Sequence, residues 1–92
     1  MSQLTLEFPT AKTSMSELRD ALDAAIHEEF PGGMMKREWD GDVLRLKGPG
    51  AEGTVTFEDG RLVGRASLGG PALLMKPVIA SKMNAVLKRI AG

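Results

Sequence analysis

The sequence predicts an α+β fold in the order β-α-β-β-β-α, in which an antiparallel four-stranded sheet carries both helices on one face. Three observations lead to this prediction: alternating apolar residues near the start, two segments of helical periodicity, and turn dipeptides between strand-like runs. The 92 residues are few enough for a single domain spanning 1–92. Apolar residues make up 42% and charged residues 26%, which is typical of a folded globular chain.

The first strand and the first helix are predicted within the first 33 residues. Apolar residues at positions 4, 6 and 8 alternate with polar ones, as in a half-buried strand, and Pro9 ends the pattern. Ser14 and Glu17 have the spacing of a capping box, so a helix is expected to begin there. Pro31-Gly32-Gly33 is expected to end it. The predicted apolar face of this helix is Leu18, Leu22, Ala25, Ile26 and Phe30.

The segment from Met35 to Leu68 is predicted to supply the other three strands. A four-residue loop from Asp40 to Val43, built on the Asp40-Gly41 turn dipeptide, would bring three flanking apolar residues together: Trp39, Leu44 and Leu46. A two-residue turn at Asp59-Gly60 would pair Phe57 with Leu62 and Val55 with Gly64. That register places on one face Val55, Phe57, Leu62, Ala66 and Leu68.

A second helix is predicted after Gly69-Gly70-Pro71, with Pro71 in its first turn. Pro77 marks either a kink or the true start of the long part, because a proline inside a helix removes a hydrogen bond. The apolar residues of this helix cover about half of its circumference, which is wide for a helix that contacts one sheet. They are Met75, Val78, Ile79, Met83, Val86, Leu87 and Ile90.

The charges are segregated although the formal net charge is zero. All twelve acidic residues lie between Glu7 and Asp59, whereas residues 60–92 contain basic residues and no acidic ones. Six basic residues are a weak footprint for phosphate binding, so we expect no nucleic-acid partner. The basic segment is expected to face acidic parts of its own chain or of a second subunit. The chain has no cysteine, no secretory signal and no apolar run long enough for a transmembrane segment, and we expect it to be cytoplasmic.

No catalytic, cofactor or metal site is predicted, and we therefore expect that the protein is not an enzyme. Gly48–Gly53 matches G-x-G-x-x-G, but a strand follows where a dinucleotide site needs a helix, so the segment is interpreted as a hairpin connection. His27 is the only histidine and is interpreted as a surface residue. Asp40-Gly41-Asp42 lacks the rest of a calcium loop. The adjacent carboxylates are interpreted as solvated surface: Glu28 with Glu29, and Glu58 with Asp59.

Two side chains are candidates for contact with a ligand or a partner. Trp39 either covers the edge of the sheet or contacts a ligand, since an indole offers apolar area and one hydrogen-bond donor. Lys82 lies within the apolar arc of the second helix. Its ammonium either reaches water while its stem packs, or faces a cavity and meets the anionic head of a ligand.

Several segments resemble the polyhydroxyalkanoic acid system proteins, a family of small bacterial proteins encoded near polyester-storage genes. The similar segments are Arg37-Glu38-Trp39-Asp40-Gly41-Asp42-Val43-Leu44, Gly53-Thr54-Val55, Asp59-Gly60-Arg61-Leu62-Val63, and the apolar and basic C-terminal helix. Where family members usually carry Leu-Pro before the last helix, this chain has Gly70-Pro71-Ala72-Leu73. The resemblance spans about residues 3 to 90 and implies association with polyhydroxyalkanoate granules or their metabolism. It implies no catalytic residue.

The leading hypothesis is a non-enzymatic protein that associates with storage granules or granule proteins, as a homodimer, through the amphipathic basic C-terminal helix. Its wide apolar face is flanked by four basic residues: Lys76, Lys82, Lys88 and Arg89. The alternative is a module that binds a small apolar ligand, because the element order is also similar to a reduced START-like helix-grip domain. Its cavity is predicted to be lined by Trp39, Phe57, Met83 and Leu87, with Lys82 as a further contact.

Overall fold

The computed structural model of the chain describes residues 2–11, 14–30 and 35–91. The strands are β1 (Ser2–Pro9), β2 (Lys36–Asp40), β3 (Val43–Gly48), β4 (Ala51–Glu58) and β5 (Arg61–Leu68). The helices are α1 (Arg19–Glu29), α2 (Pro71–Leu74) and α3 (Lys76–Ala91), and a 3-10 turn (Met15–Glu17) precedes α1.

The five strands form one antiparallel sheet in the order β1-β5-β4-β3-β2. The α+β class is confirmed, but the predicted four-stranded sheet is wrong by one strand. Lys36–Asp40 pairs with β3 as a strand of its own, and Pro49-Gly50 is a tight turn that joins β3 directly to β4. The region after α1 therefore contains three successive hairpins, and the order of the strands and α-helices becomes β-α-β-β-β-β-α-α.

The second predicted hairpin has the expected register. Phe57 pairs with Leu62 and Val55 with Gly64. Asp59 and Gly60 both have positive φ, 49° and 74°, as a type I′ turn requires. The Asp-Gly dipeptide suits this turn because aspartate tolerates, and glycine readily adopts, the left-handed conformation.

The first hairpin has the predicted alignment but a shorter loop. Trp39 pairs with Leu44, as expected. Asp40 and Val43 also pair, so the turn contains only Gly41 and Asp42 rather than four residues. Gly41 has φ of 60°, which lets the shorter turn form.

α1 and α3 cover the same face of the sheet. Leu22 of α1 and Leu87 of α3 belong to one buried cluster with Leu44, Val55 and Leu62 of the sheet, and all five side chains are fully buried. α1 runs from the edge strand β1 to the opposite edge strand β2, and α3 packs on β1, β5 and α1. The helix-free face of the sheet is left open to solvent.

The start of the first helical segment differs from the prediction, whereas the structure decides between the two alternatives for Pro77. The side chain of Ser14 makes no capping hydrogen bond; its Oγ lies 2.9 Å from Oγ of Ser16, and a 3-10 turn precedes the α-helix. The predicted serine cap is therefore wrong. α1 ends at Glu29, and the predicted stop at Pro31-Gly32-Gly33 lies outside the described residues. Pro77 is the second residue of α3. Of the two predicted alternatives, it therefore marks the start of the long helix and not a kink within it.

Candidate functional site

The apolar arc of the C-terminal segment is divided between the core and the surface. Met83, Val86, Leu87 and Ile90 are buried against the sheet and α1. The exposed remainder lies where α2 meets α3, with Leu73 42% exposed, Leu74 87%, Met75 49% and Val78 43%. We call these four residues the elbow patch. It lies at the junction of α2 and the first turn of α3.

The position of the elbow patch depends on a backbone contact between two glycine-rich connections. The N–H of Gly69 donates a hydrogen bond of 2.8 Å to the carbonyl oxygen of Gly50, in the β3–β4 turn. A Cβ atom at Gly50 would collide with that neighbouring backbone. Ala72 is buried beside Ala51 and Leu68, so α2 is held by its small inward residue while its larger residues point outward.

Beside the elbow patch lies an apolar groove of about 430 Å³. It is bounded by the end of α1, the β3–β4 turn and the start of α3. We call it the elbow groove. Its wall is mostly apolar and includes Phe30, Met35, Pro49, Ala72, Met75 and Ile79, with Lys82 and Glu29 as its two charged residues.

Lys82 is the cationic group of the elbow groove. Its Nζ donates a hydrogen bond of 2.6 Å to the backbone oxygen of Glu29 and lies 5.5 Å from the centre of the Phe30 ring. An ammonium has three donor hydrogens, and this bond uses one of them. No carboxylate among the described residues forms an ion pair with Lys82. The groove therefore combines an apolar wall with one cation whose charge is not balanced by an ion pair.

The interior between the sheet and α3 holds a cavity of only about 30 Å³, which Met83 helps to line. This is about the share of volume that one water molecule takes in the liquid. Phe57 and Trp39 are half-buried and pack against the core cluster, and Leu87 is fully buried. Among these candidate contacts, Lys82 lines the elbow groove and Met83 the small cavity, whereas Trp39, Phe57 and Leu87 line neither. Their role as ligand contacts stays a prediction.

Trp39 joins the edge strand β2 to α1. Its Nε1 donates to the carboxylate of Asp23, at 3.0 and 3.2 Å from the two oxygens. The guanidinium of Arg19 lies 4.6 Å from the centre of the indole ring, within cation–π distance. Arg37 donates to the backbone oxygen of Asp23 at 2.6 Å. These contacts are those expected of a side chain that covers the edge of the sheet.

The helix-free face carries a wide polar groove of about 710 Å³, which the sequence interpretation missed. Cross-strand ion pairs cover this face, among them Arg45 with Asp40 at 3.2 Å and Lys47 with Glu52 at 3.8 Å. Exposed pairs of this kind contribute little to stability. The available signal was the alternation of polar residues along the strands, interrupted at Val43 and Val63, since those positions share one face.

Glu58 has the strongest electrostatic perturbation on the helix-free face. The guanidinium of Arg65 donates hydrogen bonds to both carboxylate oxygens, and the hydroxyl of Thr56 donates a third at 2.6 Å. These bonds favour the ionised form and lower the pKa of Glu58 from 4.5 to about 2. The same contact raises the pKa of Arg65. A carboxylate held ionised in this way is suited to a structural role and not to proton transfer near neutral pH.

Several basic residues of the C-terminal segment are paired within the chain. Arg61 lies 3.8 Å from Glu7, Arg65 contacts Glu58, and Arg89 donates to Glu28 at 2.9 Å. For these three arginines, the expectation that the basic segment faces acidic parts of its own chain is confirmed. Lys88 is exposed and has no ion pair within the described part of the chain.

The glycine-rich segment and the histidine that could suggest a dinucleotide or metal site have ordinary structural roles. Gly48–Gly53 contains the end of β3, a turn and the start of β4, so the predicted hairpin connection is confirmed. His27 is exposed on α1. Within residues 2–11, 14–30 and 35–91, no group of three or more potential ligand residues could hold a metal ion. No helix in these ranges is long and apolar enough to span a membrane.

The elbow patch includes two residues that the sequence interpretation left out, Leu73 and Leu74. The available signal was four consecutive apolar residues, Ala72–Met75, between two prolines. A run of this kind on a short helix cannot face one core with every side chain, so part of it must be exposed.

A comparison with protein families matches residues 3–90 to the family described as "Putative polyhydroxyalkanoic acid system protein" (PHA_gran_rgn). The match covers nearly the whole chain. No curated protein and no solved structure matches.

Proposed function

The chain belongs to the polyhydroxyalkanoic acid system protein family, and from this premise we propose that it is a non-enzymatic, cytoplasmic protein that associates with polyhydroxyalkanoate granules or granule proteins. The observation that carries the proposal is the elbow patch. Its four side chains are 42 to 87% exposed and lie within six residues of the chain, where α2 meets α3. Contiguous apolar patches on a small protein mark surfaces that contact a partner or an apolar phase.

The C-terminal helix takes part through its first turn rather than through its whole length. Met83, Val86 and Leu87 are buried in the core, so they are not available for a granule unless the protein unfolds. Leu74 and Met75 need no rearrangement to reach an apolar surface. Attachment is therefore confined to the elbow patch, with α3 leading away from the surface.

The size of the patch sets the strength of attachment. The exposed fractions of its four residues are equivalent to about two large apolar side chains, whose burial contributes about 3 to 6 kcal/mol. A micromolar dissociation constant requires about 8 kcal/mol. One elbow patch is too weak for stable attachment, whereas a homodimer that presents two patches to one surface gains affinity through effective concentration. The proposal therefore includes a homodimer.

Cosedimentation of the purified protein with isolated polyhydroxyalkanoate granules tests the proposal, at low and at high salt. The unmodified protein should cosediment under both conditions because apolar burial is not screened by salt. Leu74→Ser should weaken binding about 30-fold for each patch that contacts the granule, and therefore about 900-fold for a dimer attached through two patches, since burial of this side chain contributes about 2 kcal/mol per copy.

Lys88→Glu is the matched control because Lys88 is exposed and lies about 18 Å along α3 from Lys76, at 1.5 Å per residue. It should bind like the unmodified protein. The proposal fails if the unmodified protein stays in the supernatant, or if Leu74→Ser binds as well as the control.

A second candidate function is the binding of a small amphiphile in the elbow groove. The observation that favours it is the ammonium of Lys82 on the wall of an otherwise apolar groove. A medium-chain carboxylate such as decanoate would place its chain along Phe30 and Ile79 and its head near Lys82. We expect it to stabilise the folded protein by about 2.7 kcal/mol at 100 times its Kd.

Thermal unfolding with and without decanoate tests this candidate. Lys82→Met keeps a long flexible side chain without the charge and should lose most of the stabilisation. An unmodified protein whose melting temperature does not respond to decanoate would exclude the carboxylate site. Granule binding would be unaffected by that result, because it depends on Leu74.

A further inference from the structure

The two edges of the sheet differ in how well they are protected against pairing. β2 has only five residues, four of them charged, and Trp39 fastens it to α1. β1 has eight residues, with Glu7 as its one charged residue. A long edge strand with few charges is a template for another strand, and proteins normally shorten or charge such an edge.

The hydrogen-bond pattern identifies which groups of β1 point outward. The N–H of Thr10 donates to the carbonyl oxygen of Gly60 at 3.0 Å, continuing the register in which Phe8 faces Leu62. In an antiparallel ladder the bonded pairs alternate, so the even-numbered residues of β1 bond to β5. The N–H and C=O groups of Gln3, Thr5 and Glu7 therefore point away from the sheet.

We propose that β1 pairs with β1 of a second copy of this chain, antiparallel and centred on Thr5, to make a continuous ten-stranded sheet. Thr5 then faces Thr5 of the other copy, and Gln3 faces Glu7 in both directions. About six N–H···O bonds form, and all outward groups of these three residues are satisfied. This inference rests on the homodimer that the proposed function includes, and its tests do not involve granules.

Side-chain complementarity selects this register. On the helix-covered face it places the half-buried Leu4 opposite Leu6 of the other copy, so that both lose further exposed area. A shift centred on Leu6 would set Pro9, which has no N–H, against Gln3 and leave a carbonyl unpaired. A shift centred on Glu7 would place two carboxylates directly opposite each other.

The helical layers also fit this arrangement. α3 packs on both β1 and β5, so the α3 helices of the two copies lie about two strand spacings apart, or about 10 Å. This is the usual separation of packed helices. Lys82 and Arg89 contact α1. The α3 positions on the opposite side, which face the second copy, are small residues, Ala80, Asn84 and Ala91.

Sedimentation equilibrium of the unmodified protein and of Thr5→Pro is the first test. The unmodified protein should have twice the chain mass of 9.8 kDa. Proline at position 5 removes an outward N–H and spares the bonds to β5, so the fold should persist in far-UV circular dichroism. Its dimer should be weakened about tenfold or more. A monomeric unmodified protein, or a folded Thr5→Pro protein that is still fully dimeric, would overturn the proposal.

Single cysteines determine the register, because the natural chain has none. Thr5→Cys should form a disulfide between copies on mild oxidation, since facing Cα atoms in a bonded pair lie about 5.5 Å apart. Glu7→Cys should not, because its two copies are offset by four residues, about 13 Å. Cross-linking of Glu7→Cys without Thr5→Cys would refute pairing centred on Thr5. Granule binding enters neither measurement, so this inference and attachment can fail separately.

Discussion

The contact between Asp23 and Trp39 offers a sharp test of how the short strand β2 is held to the helical layer. Asp23→Ala removes the acceptor of the indole N–H, which lies 3.0 and 3.2 Å from the two carboxylate oxygens. A hydrogen bond to a charged group contributes about 1.5 to 3 kcal/mol. The side chain of Asp23 is 36% exposed, and its ion pair with Arg37 is long at 3.9 Å, so we take the lower end of that range.

The expected loss is about 1.5 kcal/mol, which lowers the melting temperature of a chain of this size by roughly 6 to 12 °C. Trp39 is the only tryptophan and the chain has no tyrosine, so urea unfolding followed by intrinsic fluorescence reports this contact directly. The emission of Asp23→Ala should also shift to the red as the indole gains water. Asp23→Asn keeps one oxygen acceptor and is the matched control. If both variants unfold at the same urea concentration as the unmodified protein, the hydrogen bond does not anchor β2.

Three further predictions follow from single contacts. Arg65→Met should raise the pKa of Glu58 from about 2 toward 4.5, as read from its side-chain carboxyl signal in an NMR titration. In the unmodified protein this lowered pKa makes the pair of Glu58 and Arg65 stabilising above about pH 4.5, and the stabilisation disappears as the pH falls toward 2. If the titration midpoint of Glu58 is unchanged in Arg65→Met, Arg65 is not the cause of the lowered pKa. Leu87→Ala should lower the free energy of chemical unfolding by about 3 kcal/mol because Leu87 is fully buried. Leu74→Ala should change it by less than about 0.5 kcal/mol because Leu74 is exposed, and equal effects of the two substitutions would contradict this difference in burial. Gly60→Ala should cost about 1 kcal/mol because φ at this turn position is 74°, and a neutral result would argue against the type I′ turn.

Local patterns in the sequence predict most of the fold. The Asp59-Gly60 turn specifies a register because only one alignment puts Val55 and Leu62 on the buried face. The two hairpins supply four strands between Lys36 and Leu68, so the predicted count of three was too low by one. Whether Gly48-Pro49-Gly50 is an open loop or a tight turn is harder to predict. The tight turn is favoured by a contact with Gly69, about 20 residues away, which no local pattern records.

The candidate site is less predictable than the fold. Helical periodicity identifies Met75 and Val78 as apolar but does not determine which apolar residues the core will bury. That division depends on how far the sheet extends beneath α3, a property of tertiary packing. Lys82 was identified from its position in the apolar arc, and its bond to the backbone of Glu29 depends on the distance between two helices. Which backbone groups of β1 point outward can be determined only from its hydrogen bonds and register with β5.

The glycine contact beneath α2 has a consequence for how the protein can be engineered. α2 is held in place by the backbone hydrogen bond between Gly69 and Gly50 and by the small inward side chain of Ala72. Leu74 is not part of that support, because its side chain is almost fully exposed. The side chain of Leu74, which is 87% exposed, can therefore be exchanged for an aromatic, charged or shorter one while α2 keeps its place. At this position of the elbow patch, the kind of surface that the protein binds can therefore be changed independently of its fold.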